Sequence, residues 1–365
     1  MFIDHRKSED INMKFRYNKN KRILIIFVLI MLPTFLVAGS GARRGTSGAQ
    51  ELLLPVGSVG TALGGSMGAS ISGIEAAYWN PAGVANLSGN GEVIFSSLSY
   101  IAGIDVGYLA IASNVPGFGT IGATLKTTSF GDIPVTTEKN PDGTGEVYSP
   151  KYMTLGLIYS RKMTDRISFG AKINFLSETI VRTTTSGMAL NAGVQYSNGA
   201  DGFRLGVVLR NLGTDMIFNG PDLEQNVVPP GTEPGTRQEP FRVPLSSFEL
   251  PTQMEISIGK DVYKTQFMTL SLGAAFLNDN FNFDQYNFGA DLEVANLIHF
   301  RASYSLAENP ETNEFVALTE DYLYGPGFGA GLNYNMAGTS ISLDYAMRVT
   351  HLFENNQWLS VKVGF

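Results

Sequence analysis

From residue 91 onward, apolar and polar residues alternate with a period of two, the spacing of a strand with one buried face. Ile167, Phe169, Ala171, Ile173 and Phe175 fall on one face; Ser168, Gly170, Lys172 and Asn174 fall on the other. Leu359, Val361, Val363 and Phe365 oppose Ser360, Lys362 and Gly364 in the same way. The pattern predicts fourteen strands: 91–99, 104–113, 118–129, 151–162, 165–181, 186–198, 202–213, 252–263, 267–277, 284–294, 297–306, 326–337, 339–350 and 356–365. Each is about ten residues, the length with which a tilted strand crosses a bilayer, and the count is even, as in single-chain bacterial barrels.

A soluble sandwich or lipocalin-like barrel has the same period with the opposite sidedness. The connections argue against it. If the chain enters from the periplasm, the even-numbered connections 115–117, 163–165, 197–201, 263–265, 295–296 and 337–338 are all short. The long ones, 130–150, 214–251 and 307–325, all fall on the odd side. Short periplasmic turns and longer outside loops mark an outer-membrane barrel. Phe365 closes the last apolar row as a terminal residue, and a terminal Phe there resembles the insertion signal read by the barrel-assembly machinery.

The start of the chain breaks the pattern. Lys14, Arg16, Lys19, Lys21 and Arg22 precede an apolar run from Ile23 to Val37, followed by Ala38, Gly39, Ser40, Gly41 and Ala42. That is the layout of a secretory signal peptide over 1–42, with cleavage after Ala38 or Ala42 and Met13 as an alternative start. Its apolar run is short for a membrane-spanning anchor, the competing explanation. Composition agrees with a secreted barrel. Charged residues make up 16%, against about 25% in ordinary soluble domains. Hydrophobic residues reach 44% and Phe numbers 23, which excludes disorder. Cys is absent, so no disulfide framework or thiolate metal site exists. The net charge of −7, with no basic block beyond residue 22, argues against nucleic acid as a partner.

Residues 43–90 do not alternate. They are rich in Gly and small residues, partly helical over 61–77, and turn at Asn80-Pro81, because proline pushes its predecessor out of the helical region. Such a segment suits a barrel lumen as a plug. The element Tyr78-Trp79-Asn80-Pro81-Ala82-Gly83, after Leu52-Leu53-Leu54-Pro55-Val56-Gly57 and Leu63-Gly64-Gly65, resembles the PorV/PorQ family, a branch of the FadL-type barrels. The resemblance implies fourteen strands, an N-terminal hatch, and a component of type IX-like protein secretion or surface attachment. Its partners would be secretion-system or cell-surface proteins. The FadL side of the resemblance implies instead a channel for hydrophobic molecules. The motif also has a plain structural explanation, holding the hatch in place without a ligand.

Charges on the inward parity form the remaining candidates: Asp291, Glu293, His299 and Arg301 on neighbouring strands, and Asp344, Arg348 and Lys362 on the last two. Paired charges are ordinary in a wet lumen; an acid–base pair is the sharper alternative. With three His in the chain no Ser-His-Asp set assembles, and the Gly-rich 57–68 stretch lacks a phosphate-loop Lys-Ser/Thr. Neither an enzyme, a cofactor nor a metal is expected. The acidic stretch 307–325 (Glu308, Glu311, Glu314, Glu320, Asp321) reads as solvated loop, with a divalent-cation site as the alternative. Loop 214–251 carries seven Pro and many apolar residues without a strand pattern, which points to packing on the barrel rim or a partner. The expectation is an all-β outer-membrane barrel: signal peptide 1–42, plug 43–90, barrel 91–365, contacting outer-membrane lipid and cell-surface proteins.

Overall fold

The computed structural model describes residues 43–365 other than 200–201, 229–230, 232–236, 310–311, 313, 321 and 337. The expected signal peptide lies outside the described residues, as do Pro229, Pro230, Pro234, Glu311 and Asp321.

Fourteen long strands follow one another: β1 Gly91–Ser99, β2 Asp105–Val115, β3 Gly119–Ser129, β4 Lys151–Lys162, β5 Ile167–Ile180, β6 Thr183–Ser197, β7 Arg204–Gly213, β8 Gln253–Lys264, β9 Met268–Asp279, β10 Asp284–Val294, β11 Ile298–Asn309, β12 Tyr324–Met336, β13 Thr339–Thr350 and β14 Asn356–Gly364. Each pairs antiparallel with its successor, and β1 pairs with β14 as well as β2, so the sheet closes on itself. Closure removes the exposed edges that an open sheet would leave. Among the described residues no helix is long and apolar enough to cross a membrane.

The period of two sets the sidedness. On β5, Lys172 is 5% exposed while the adjacent Ile173 is 46% exposed. Phe95, Leu109, Ile121, Leu157, Phe300 and Leu343 likewise stand on the outside. One part of the sequence expectation fails here. The inner face of β1 and β2 is largely apolar: beside Glu92 and Ser96, the residues Ile94, Leu98, Val106, Tyr108, Ala110 and Ala112 are buried inward, where Ile74, Ala77 and Val84 cover them. Apolar residues on the inner face are tolerated where they pack on other side chains instead of water.

Residues 43–90 and the barrel form one compact unit. Helical turns appear at Ser58–Ala62 and Ala76–Trp79, with turns rather than helix across most of the expected 61–77 stretch. The irregular backbone needs partners, since buried N–H and C=O groups are rarely left unpaired. Side chains of the wall supply them. Lys126 Nζ donates to the Glu51 and Leu54 carbonyls at 2.5 Å each. Trp358 Nε1 donates to Pro55 O at 2.9 Å. Glu92 accepts from Ile74 N at 2.7 Å and Ser88 N at 2.6 Å. Gln195 Nε2 reaches Gly68 O and Ile71 O at 2.8 and 2.9 Å.

Close approach is permitted by glycines facing inward. Gly170 pairs with Gly193, and Gly259, Gly273, Gly289, Ser303 and Gly327 are successive cross-strand partners. A Cβ on Gly289 would strike Ser66 Oγ, and one on Gly193 would strike Asn80 Oδ1.

The long connections carry some structure. Loop 214–251 contains a hairpin, Glu224–Val227 with Glu239–Arg242, where no strand was expected. Its base is tied by paired Met216–Phe248 backbone bonds, and Met216 and Leu250 are buried with Ala49 and Leu52. The strand β11 runs on to Asn309 and pairs with Glu314–Val316.

Phe365 seals the first strand to the last. Its N–H donates to Gly91 O at 2.9 Å, and its carbonyl accepts from Asn90 N at 2.7 Å and Gly91 N at 2.9 Å. Deleting Phe365 removes these closing bonds, so a smaller fraction of the chain should fold into a barrel. Heat-modifiable mobility on gels measures that fraction; an unchanged fraction would show that closure does not depend on the last residue.

Candidate functional site

The hatch motif is built around Asn80. The two residues before it end the Ala76–Trp79 turn, and Asn80 is extended at φ −151° and ψ 104°. Pro81 accounts for that. The Asn80 side chain then does two things. Its Oδ1 accepts from Ala82 N at 3.1 Å, capping the Pro81–Ala85 turn, and its Nδ2 donates to Gly68 O at 3.1 Å. Ala82 O accepts from Ser160 Oγ at 3.2 Å, and Gly83 lies so close to Ile71 O that a Cβ would overlap it. Tyr78 donates to Leu52 O at 3.1 Å and meets Trp79 edge to face at 5.1 Å. Burial raises the Tyr78 phenol above its ordinary range. Tyr78, Asn80 and Gly83 thus hold the segment's own turns together, while Ala82, through Ser160, and Asn80, whose Nδ2 also reaches Val194 O at 3.4 Å, fix it to β4 and β6.

A cavity of about 570 Å³ lies beside the segment, toward the long-loop end. Tyr100 and Ile104 reach it from the β1–β2 connection, Phe130 from just past the end of β3, Tyr322 from the β11–β12 connection and Tyr324 from the start of β12. Trp79 and Trp358 also line it. Tyr100 and Tyr324 share a hydrogen bond between their hydroxyls. The Arg348 guanidinium lies 4.3 Å from the Tyr324 ring centroid and donates to Tyr322 Oη and Ser305 Oγ at 3.2 Å. The volume is that of a small-molecule site, and its lining mixes aromatic rings with many polar and charged side chains.

Four of the seven charges expected in the lumen assemble into one network. His299 Nδ1 lies 3.1 Å from Asp291, Arg301 Nε lies 3.4 Å from Asp291, and Arg301 Nη1 donates to Asp344 at 2.6 Å. Asn333 Nδ2 meets His299 Nε2 at 2.9 Å. Glu293 stands opposite His299 in the β10–β11 register without entering the network's ion pairs. Arg348 belongs to the cavity, and Lys362 is half-buried near Glu75. Charge satisfaction accounts for the network, and among the described residues no group of three acidic or His residues is placed to hold a metal ion.

Sequence reasoning did not single out Glu75, Lys126, Arg210 or Glu255. Lys126, Arg210 and Glu255 sit at inward parity on strands, which is the signal that finds them. Glu75 had no periodicity to reveal it. Its Oε1 accepts from Val59 N at 3.1 Å and Gly60 N at 3.3 Å. Burial, then the Asp344 charge, raise it from 4.5 to about 7, against the pull of Lys362, the Gly60 N–H and Arg301. Glu75 therefore keeps its proton in the folded barrel over a range where the unfolded chain has lost it. Its contribution to stability is full below pH 4.5 and is lost as pH rises through 7, amounting to up to about 3 kcal/mol. The unfolding midpoint should fall between pH 5 and pH 8, and Glu75→Gln should flatten the profile. A parallel profile in the variant would exclude Glu75 as the cause.

No protein-family profile and no curated protein sequence matches the chain. Solved structures do. CymD, a monoaromatic hydrocarbon channel, superposes with a TM-score of 0.51 at 13% identity, over 86% of this chain and 98% of that one. The P. putida toluene transporter TodX gives 0.51 at 13%, over 85% and 98%. A Pseudomonas aeruginosa FadL homologue gives 0.48 at 13%, over 86% and 98%. The chain shares the barrel fold of CymD and TodX. The likeness of its hatch motif to PorV/PorQ gains no support from these comparisons.

Proposed function

We propose that the chain is an outer-membrane channel for small hydrophobic molecules, with residues 43–90 as a hatch that closes the lumen. The observation that carries the proposal is the aromatic cavity between the long loops and the N-terminal segment. A solute arriving from the long-loop side meets Tyr100, Phe130 and Tyr322 before it meets the hatch. The apolar outward face supports a membrane location, and the FadL-like fold supports a channel in the outer membrane rather than an enzyme. Delivery there would use a signal peptide over 1–42 and the barrel-assembly machinery acting on Phe365. The test is uptake of a radiolabelled monoaromatic by cells with and without the chain. Uptake should rise several-fold with the chain and fall with Trp358→Ala. Equal uptake in all three strains would sink the channel reading.

Type IX-like secretion or surface attachment keeps one observation in its favour. Val227, Val228, Phe241, Val243 and Leu245 are exposed on loop 214–251. None of the described residues of that loop lines the cavity. Shortening 221–246 leaves the Met216–Phe248 base in place, so the barrel should fold and solute uptake should stay within about two-fold. Uptake and co-purification from native membranes, measured on the same variant, separate the two functions. Intact uptake with no protein lost favours the channel; loss of a co-purifying surface protein favours secretion.

A further inference from the structure

The lining of the cavity is chemically divided: a set of polar side chains, its floor in chemical terms, interrupts the aromatic walls. Trp79 Nε1, Arg210 Nε, Glu255 Oε1, Asn287 Oδ1 and both amide atoms of Asn356 are buried there without a hydrogen-bond partner. Asn356 is 1% exposed and Asn287 3% exposed. Each such atom forgoes a bond that water supplied in the unfolded chain, a cost that a closed apolar site does not relieve. The set contains donors as well as acceptors. It carries no excess of charge: Arg210 donates to Glu255 at 2.5 Å, and three Arg of the lining (Arg44, Arg210, Arg348) balance three acids (Glu51, Glu255, Asp279). Around this floor stand flat aromatic rings, Tyr78, Tyr100, Tyr324 and Trp358 among them.

Building on the channel reading, we infer that the cavity selects neutral aromatic solutes that carry a hydroxyl or amide group, in preference to bare hydrocarbons or aromatic anions. The ring of such a molecule packs on the aromatic walls, where offset or edge contacts add to the burial of its area. Its hydroxyl or amide pairs with one member of this polar set, Asn287 on β10, Asn356 on β14 or Glu255 on β8, once that side chain turns its free atom toward the solute. A hydrocarbon of the same shape fills the walls and leaves the floor unpaired. Sites built to hydrogen-bond a substrate group discriminate strongly against the analogue that lacks it. An anion gains nothing from a floor whose charges are already matched, and it gives up its hydration on entering.

The chain carries two Trp, and both line the cavity, so intrinsic fluorescence reports occupancy directly. The experiment titrates the chain in lipid nanodiscs with benzyl alcohol, toluene and benzoate, which share one ring and differ at one substituent. Benzyl alcohol should bind at least ten-fold more tightly than either of the others. Asn287→Leu and Asn356→Leu should each reduce that preference by several-fold, with folding checked by heat-modifiable mobility. Toluene binding as tightly as benzyl alcohol, or benzoate binding most tightly, overturns the inference and leaves the channel intact. Quenching by none of the three overturns the inference and, with it, the cavity as a solute site. If a variant fails to fold, the wild-type ranking alone decides.

Discussion

Replacing Gly193 by leucine should turn a closed barrel into a conducting one. Gly193 faces inward on β6, opposite Gly170 on β5, at the level of the Asn80-Pro81 turn. A Cβ there would overlap Asn80 Oδ1, and one on Gly170 would overlap the Pro81 carbonyl. Leucine adds three carbons beyond that Cβ. The wall cannot retreat, because at Gly193 β6 is paired with β5 on one side and β7 on the other. The turn is what gives way. It is held by the Asn80 bonds to Ala82 and Gly68 and by Ser160 on Ala82 O, and overpacking of about 1–3 kcal/mol or more is comparable to the sum of these. If residues 43–90 are the hatch proposed for this channel, displacing the turn opens the lumen at this level. Single-channel conductance in planar bilayers should rise several-fold for Gly193→Leu and less for Gly193→Ala. Alanine at both Asn80 and Pro81 should reproduce the effect from the other side of the contact. Conductance equal to wild type in all three would mean that this turn does not close the barrel.

The barrel was legible because its period of two is enforced by a hard boundary. Each strand meets one environment outside and another within, so Lys172 and Ile173 declare their faces by chemistry alone. Strand ends shift by up to three residues, as at β6, which starts at Thr183 where 186 was expected, because the short side of a connection carries no burial signal. Loop parity fixed the two ends for the same physical reason: all the long connections open toward one side. The hatch motif was visible as a turn, since Asn-Pro restricts its own backbone whatever surrounds it. What it touches was not visible. The glycines that admit it, Gly170 and Gly193, sit on strands more than eighty residues away in the chain, and only register brings them together. The same holds for the cavity. Tyr100, Phe130 and Tyr322 come from three connections whose sequences share no period, and the aromatic content of loops reads as nothing until closure places them around one space. The inner face of β1 and β2 was misjudged because an inward polar face was assumed all round, whereas Ile94 and Leu98 meet protein instead of water.

Glu255→Ala should be the most destabilising single change on the inner wall. Glu255 is 2% exposed on β8, and Arg210 of β7 donates to it at 2.5 Å from a side chain that is itself 7% exposed. Removing the carboxylate leaves a buried guanidinium with the Trp79 carbonyl, at 3.5 Å, as its remaining hydrogen-bond partner. Breaking a buried pair on one side costs about 3–5 kcal/mol, because the surviving charge loses its partner but not its burial. Arg210→Met with Glu255→Leu removes both charges and keeps the volume, and such paired replacements are often neutral or stabilising. The double variant should therefore unfold in urea near the wild-type midpoint while the single variant unfolds far below it. Equal losses for single and double variants would mean that packing, not charge, holds this stretch of wall. The pair also separates stability from recognition. Its charges cancel within the cavity floor, so the double variant, if it folds as expected, loses polar atoms from the floor without gaining net charge. Such a barrel should bind toluene better than wild type does, and benzyl alcohol worse.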